Sequence, residues 1–350
     1  MLNVFTIDQS EKWDSAVESF GNFDVYYLSG YVKAFMLHGD GEPLLFCYEE
    51  EGRKGLCVVM KRDVSQDEHF KGIIPEGKYY DLATPYGYGG WIFEGDWDDA
   101  AVDAFSEEYT NWCKDNSIVS EFVRFHPVLE NAEYLNDKIY DEVFLGNTVA
   151  IQLDDEEEMW ARFSSKNRSH IRVAKKEGVE VRTDDSEEAF DIFRSIYETT
   201  MDHDDAASYY YFDREFFESI RNDLKGRYTI FTAYLEDKPI ASAIMIYAGK
   251  YMNYHLSGQL FEYRRYAGTN VILYEAARWG CQNGFDWLHL GGGLGAKEGS
   301  LYDFKKSFYK KGEDKKFFIG RKIFDQKAYD ELTGMRTEEL DEGFFPRYRA

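Results

Sequence analysis

The sequence predicts an α/β protein of two similar units, each a mixed, mostly antiparallel sheet flanked by helices. Three observations carry that expectation. The chain has 350 residues, long for a single core, and 44% of them are hydrophobic, with 27 Phe, 27 Tyr and 7 Trp to fill two. Period-two apolar runs bounded by turn residues alternate with segments of helical period. The same order of elements then occurs twice.

In the first half, EPLLFCYEE and GLCVVMKR (42–62) read as a hairpin closed by EGRK. YYDLATPYGYGG is a strand entering a loop, WDDAAVDAFSEEYTNWCKDN (97–116) a helix, and SIVSEFVRFHPV (117–128) a strand. Residues 156–177 read as one helix with an inner stripe of Trp160, Phe163, Asn167, Ile171 and Ala174. In the second half, YTIFTAYL and PIASAIMIY (228–247) form a hairpin around EDK, followed by the strand MNYHLS. A basic turn RRYAGTN, a helix VILYEAARWGCQN and a strand FDWLHL complete the repeat. KKFFIGRKIF (315–324) alternates as a strand and is expected to pair back onto the first unit. The expected division is therefore 1–149 and 150–314, with 315–350 returning to the N-terminal domain.

The charge and composition exclude several classes. A formal charge of −24 repels a polyanion, so no extended nucleic-acid surface is expected, although a local basic patch still suffices for one phosphate group. No stretch approaches the roughly 20 apolar residues that span a bilayer. The start, MLNVFTIDQSEKW, has no basic region followed by an apolar core, so a cytoplasmic protein is expected. Four dispersed cysteines (Cys47, Cys57, Cys113, Cys281) read as reduced thiols. The acidic MDHDD (201–205) has no second cluster, so no metal is expected. GGGLG is followed by no apolar-periodic helix, which argues against a dinucleotide fingerprint, and no G-x-S-x-G or P-loop occurs.

Residues 252–308 are the most telling. Strand, turn and helix in that order bring backbone N–H groups, a positive helix end and Arg264 and Arg265 to one place, which suits a phosphate-bearing ligand. The small stripe Ile272, Leu273, Ala276, Ala277 and Gly280 lets the helix lie close on a sheet. The equivalent turn of the first half is EGDWDD, whose carboxylates repel a pyrophosphate, so only the second unit is expected to bind a donor. Lys166, Arg168 and Arg172 cluster within residues 156–177, and the two arginines share one helical face, a candidate phosphate or carboxylate contact.

R-x-x-G-x-N (Arg265, Gly268, Asn270) resembles the acyl-CoA pyrophosphate loop of the GNAT N-acetyltransferases, usually R/Q-x-x-G-x-G/A, and departs from it at Asn270. With the glycine cluster, the F-K-x-x-F element (Phe304, Lys305, Phe308), KNRSHIRVAKKEGVEV (166–181) and DLATPYGYGG (81–90), the chain resembles the FemAB-type transferases and their BioF2-like relatives. The resemblance spans nearly the whole chain. It implies two tandem GNAT-like domains, the first on the acceptor side and the second on the donor side. FemAB-type members attach amino acids to peptidoglycan precursors; BioF2-like ones are read as acyl-CoA-dependent.

These readings define an expected N-acyltransferase. Acyl-CoA as co-substrate rests on Arg264, Arg265, Gly268, Thr269 and Asn270, and the acceptor is an amine of a cell-envelope sugar or peptide precursor. Lys305 is the first catalytic candidate, since the resemblance places the lysine of F-K-x-x-F at the active site. His255 and Tyr254 precede the turn; alternation along a strand lets only one of them face the substrate. Lys33, Tyr86, Tyr88, Arg168 and Arg172 are candidates for holding the acceptor, Lys33 through the resemblance. His126 ends the equivalent strand of the first half without an evident chemical partner, and His289 has a weaker case than His255. The alternatives are a FemAB-like transferase using aminoacyl-tRNA, and a non-catalytic protein that binds a phosphate ligand.

Overall fold

The two hairpins set the architecture. A computed structural model describes residues 1–133, 135–336, 340–341 and 343–350. Through the first half the elements are β1 (Leu2–Thr6), α1 (Ser10–Glu18), α2 (Ser29–His38), β2 (Glu42–Glu50), β3 (Arg53–Asp63), β4 (Tyr80–Ala83), β5 (Ile92–Glu94), α3 (Asp99–Asp115) and β6 (Ile118–Arg124). There follow β7 (Asp141–Gln152), α4 (Glu156–Arg162), α5 (Ser165–Lys176), β8 (Val179–Asp184), α6 (Glu187–His203), α7 (Arg214–Asp223), β9 (Tyr228–Leu235) and β10 (Lys238–Ala248). The remainder is β11 (Tyr251–Gln259), α8 (Gly268–Gln282), β12 (Trp287–Gly291), α9 (Ser300–Lys306), β13 (Lys315–Ile323) and α10 (Gln326–Gly334). Two compact units result: residues 1–145 with 317–350, and residues 146–316.

In the first unit the strand order is β1-β2-β3-β4-β6-β13. The β2–β3 hairpin closes through Glu51 and Gly52, both at positive φ, as a tight turn between right-twisted strands demands. Phe46 stands opposite Cys57 and Cys47 opposite Leu56, so the two thiols are offset in register, and all four cysteines are free. β4 and β6 are parallel, with α3 as the crossover, and β13 adds antiparallel to β6. Val102, Phe105, Tyr109 and Cys113 are the buried face of α3. Trp91 meets Phe105 and Tyr109 edge-on at 4.8 and 5.1 Å, the preferred aromatic geometry. The last residues dock in the same unit: Tyr348 is buried, its hydroxyl 2.8 Å from Ser120 Oγ, and Arg62 and Arg349 both donate to the buried Asp81 carboxylate.

In the second unit the order is β7-β12-β11-β10-β9-β8. β9–β10–β11 is an antiparallel meander, while β11 and β12 are parallel and joined by α8. The small stripe of α8 is used as its composition requires: a Cβ on Gly268 would stand 3.2 Å from Ala241 Cβ, and one on Gly280 would reach 2.6 Å from Leu153 Cδ1. Val271, Ile272, Leu273, Ala276 and Ala277 join Phe231, Ala243, Met252 and Leu288 in one core. The single helix expected over 156–177 is two helices. Phe163 leaves the helical region (ψ 148) to enter the core, and Ser164 restarts the chain by accepting the Asn167 N–H, so a capping residue outcompetes helix continuation.

Candidate functional site

The second unit opens where its parallel strands part. β11 and β12 pair over only three positions, Tyr251–Trp287, Met252–Leu288 and Asn253–His289, although β11 runs on to Gln259. Beyond Asn253 the crevice lies at the carboxyl ends of parallel strands, where α/β sheets take ligands. On its other edge β11 carries a bulge: Ile244 pairs with Leu256 and Met245 with Tyr254, leaving His255 as the extra residue. Bulges re-aim backbone and side chains and recur beside active sites.

The first unit shows the contrast. β4 and β6 stay paired from Tyr80–Ile118 to Ala83–Phe122, and the zipper continues. Thr84 donates its N–H to Phe122 O at 3.0 Å, Arg124 its N–H to Thr84 Oγ1 at 2.9 Å, and Gly89 its N–H to Arg124 O at 2.8 Å. The start of α3 is neutralised by Asp98, which accepts the Ala101 N–H, with Asp99 behind it. α8, by contrast, follows Ala267, held at φ 51°, with no side chain capping its start among the described residues.

Around that start, Thr269 Oγ1 donates to Gln259 Oε1 at 3.0 Å and Asn270 Nδ2 to Asn167 Oδ1 at 2.8 Å. Asn167 is the third residue of α5, so the first turns of two helices are tied together. The Asn167 Nδ2 is buried without a hydrogen-bond partner among the described residues, an omission that costs about 1–3 kcal/mol unless something else satisfies it. Arg264 lies 4.2 Å from the ring centre of Phe261, and Arg265 lies 4.7 Å from that of Tyr266 while donating to its hydroxyl. Asn270, the departure from the usual loop pattern, thus turns its side chain onto α5.

Past β12 the chain needs its glycines. Gly291 sits at φ 79°, and a Cβ on Gly293 would collide with Lys297 O at 2.0 Å. Lys305 Nζ donates to Gly292 O at 2.8 Å. Phe308 is buried, with Phe304 edge-on at 5.4 Å, so the two phenylalanines of F-K-x-x-F fix α9 while the lysine between them turns to the glycine loop. Desolvation brings the Lys305 ammonium down to about 8. Desolvation also pushes the His255 imidazole down to about 3 and the Tyr254 hydroxyl, which donates to Ser257 Oγ, up to about 12. Of the three catalytic candidates, Lys305 alone titrates near neutrality, the range suited to proton transfer.

The remaining candidates are placed as follows. Arg168 Nη1 donates to the carbonyls of Ala161 (3.1 Å) and Phe163 (2.6 Å), which end α4, so it caps the C-terminus of that helix. Arg172 lies over the Trp160 ring at 5.4 Å. His289 is buried, with Nε2 2.9 Å from Thr148 Oγ1. In the first unit Lys33 is half-buried on α2, Tyr86 stacks on Phe35 at 5.5 Å, and Tyr88 meets Phe317 edge-on at 5.4 Å. His126 does have a chemical partner: its Nε2 is 2.8 Å from Asp24 Oδ2, both side chains fully buried. Asp24 was not legible as that partner, lying 102 residues away in sequence. Arg124, also missed, donates to Gly87 O at 2.9 Å and lies 5.7 Å from the Tyr88 ring, so it holds the TPYGYGG loop. Among the described residues no group of three or more His, Cys, Asp or Glu side chains could hold a metal ion, and no helix is long and apolar enough to cross a membrane.

Comparison with known proteins accords with this geometry. Residues 161–306 match the model of the acetyltransferase (GNAT) domain family. Over 94% of this chain and 99% of the other, the structure is similar to that of FemX, with a TM-score of 0.68 at 14% identity. It is also similar to the C-terminal domain of a putative lysylphosphatidylglycerol synthetase from Agrobacterium fabrum (TM-score 0.54, 10% identity, 90% and 91% of the two chains). A tandem GNAT protein from the clavulanic acid biosynthesis pathway aligns at TM-score 0.50 and 7% identity, over 93% of this chain and 100% of that one. No curated protein matches the chain by sequence. At these identities the likeness is one of fold, and the fold is the expected tandem GNAT-like one.

Proposed function

We propose that this chain, built on the tandem GNAT-like fold, is an N-acyltransferase. Its acyl-CoA donor is held on the second unit, and the acyl group passes to an amine of a cell-envelope sugar or peptide precursor. The asymmetry between the units carries the reading. One pair of parallel strands parts beside an uncapped helix start; the other pair stays zipped beside a helix closed by Asp98. Donor phosphates meet the N–H groups of Gly268, Thr269 and Asn270, where the helix dipole favours anions. The acyl end follows β11 past Asn253, where the strand no longer pairs with β12.

The reaction forms a C–N bond as the thioester C–S bond breaks, and one amine proton ends on the departing sulfur. A carrier for that proton must titrate near the working pH. Lys305, brought down to about 8, is the candidate with that property: its neutral form takes the proton from the attacking amine and its ammonium returns it to the thiolate. Lys33, Tyr86 and Tyr88 remain the proposed acceptor-side residues.

Aminoacyl-tRNA is the second donor reading, favoured by the extent of the similarity to FemX and opposed by the −24 charge. A thermal-shift panel of acetyl-CoA, CoA and a UDP-linked muropeptide separates them. Acetyl-CoA at about 100 times its Kd adds about 2.7 kcal/mol of stability. The expected result is a shift with both CoA species, plus acceptor-dependent release of free thiol. No shift with either CoA species would transfer the proposal to the aminoacyl donor, and a shift without thiol release would leave a binding protein.

A further inference from the structure

The turn that leads into α8 pairs every one of its aromatic rings with a cation. Residues 261–266, FEYRRY, form one short 3-10 segment ending at Ala267. Arg264 lies 4.2 Å from the Phe261 centroid, Lys238 lies 4.5 Å from Tyr263, and Arg265 lies 4.7 Å from Tyr266. Two of these cations are also tied by hydrogen bonds to the hydroxyls of their rings, Lys238 to Tyr263 and Arg265 to Tyr266. The Phe261 pair differs. Phe261 has no hydroxyl and is 47% exposed, and Arg264 has no ion-pair partner among the described residues, in a chain of net charge −24. From the end of α6, the His203 ring stacks on Phe261 at 4.3 Å and 25°.

The half-exposed Phe261 ring and the planar groups on it form a short stack at the surface. A planar π ligand can extend such a stack, and an arginine without an ion-pair partner among the described residues adds attraction for a neighbouring phosphate. Acidic groups stand on both sides of the platform: Glu262 in the turn itself, and Asp202, Asp204 and Asp205 around His203, of which Asp204 lies 2.9 Å from His203 Nδ1 and Asp202 accepts from the Tyr211 hydroxyl. Gly268 starts α8 two residues after the turn, so a ligand with phosphates on that helix start has its nucleoside end beside Phe261.

We infer that Phe261, Arg264 and His203 form the platform for the nucleotide end of acyl-CoA, with the adenine added to the outer, exposed face of the His203 ring, which Phe261 backs, and Arg264 serving the ribose phosphate. This assignment rests on the acyl-CoA reading of the crevice and extends it to residues outside the loop motif. It makes the nucleotide end, and not only the pyrophosphate, a recognised part of the donor.

The test is a steady-state comparison of acetyl-CoA with acetyl-pantetheine, which lacks the nucleotide, in wild type, Phe261→Ala and Arg264→Ala. Calorimetric titration of 3′,5′-ADP accompanies it. Each substitution is expected to raise KM for acetyl-CoA about tenfold with kcat within about twofold, and to leave KM for acetyl-pantetheine unchanged. The affinity for 3′,5′-ADP falls by the same factor. Equal effects on both donors, or none on either, would overturn the platform while leaving the acyltransferase reading intact. If wild type turns over neither donor, the acyltransferase reading fails and the titration still decides: tenfold weaker 3′,5′-ADP binding in Phe261→Ala supports the platform. Absence of 3′,5′-ADP binding by wild type overturns it, as does binding only of an oligoribonucleotide ending in adenosine.

Discussion

Lys305 shows what one residue's surroundings add to its motif. The sequence places it in a basic run with Lys306, Lys310 and Lys311, where nothing but the F-K-x-x-F resemblance distinguishes it. The structure separates the neighbours by burial and partner. Lys306 is ion-paired to Asp314 at 2.6 Å, whereas the hydrogen-bond partner of Lys305 among the described residues is the neutral Gly292 carbonyl, and desolvation lowers its basicity. With a value of about 8, about one-tenth of Lys305 is neutral at pH 7 and most of it at pH 9. If the neutral form starts the proton transfer, kcat rises about tenfold across that interval. Lys305→Met should lower kcat at least about 100-fold, with a residual rate that is flat over the same range and a urea midpoint close to wild type. A variant that keeps both the rate and the pH limb would remove Lys305 from the chemistry. His255 marks the opposite case: its strand was legible from alternation, but the bulge that isolates it depends on the register of β10 and has no local signature.

At the scale of elements, the hairpins, α3, α8 and the returning β13 were legible because each carries its own period. The break between α4 and α5 was not, since it depends on Phe163 finding a core and Ser164 finding an N–H to accept. The parting of β11 from β12 was equally hidden, because pairing between strands 36 residues apart in register is a tertiary outcome. β13 also brings a feature the sequence conceals. Lys322 stands opposite Glu121 of β6, and the buried Glu121 accepts from the hydroxyls of Tyr109 (3.0 Å) and Tyr140 (2.9 Å). Burial raises the Glu121 carboxyl to about 7 despite those donors and Lys322. The folded value lies above the unfolded one, so the folded state binds the extra proton. Its contribution is full below the ordinary carboxyl value and is lost as pH rises through about 7. Wild type is therefore expected to show a lower urea midpoint at pH 8 than at pH 6, and Glu121→Gln to shrink that difference. An unchanged difference in the variant would assign the pH dependence to other groups.

At the scale of the molecule, a repeated α/β unit has diverged in one decisive respect. Both units keep hairpin, strand, helix and parallel strand, but only the second combines an open strand pair with an uncapped helix start. Half of that asymmetry was legible in the sequence, because EGDWDD against RRYAGTN is a difference of charge that needs no tertiary structure. The other half, zipped against parted strands, required the fold. The similarity to FemX covers both units and shows the shared architecture, while the acidic surface weighs against a large nucleic-acid footprint. Amide hydrogen exchange with and without saturating acetyl-CoA shows whether the donor sits on the second unit alone. Slowed exchange is expected at residues 254–259 and 268–272, with residues 84–90 and 98–102 unchanged. Protection at 84–90 and 98–102, or none anywhere at saturation, would contradict it.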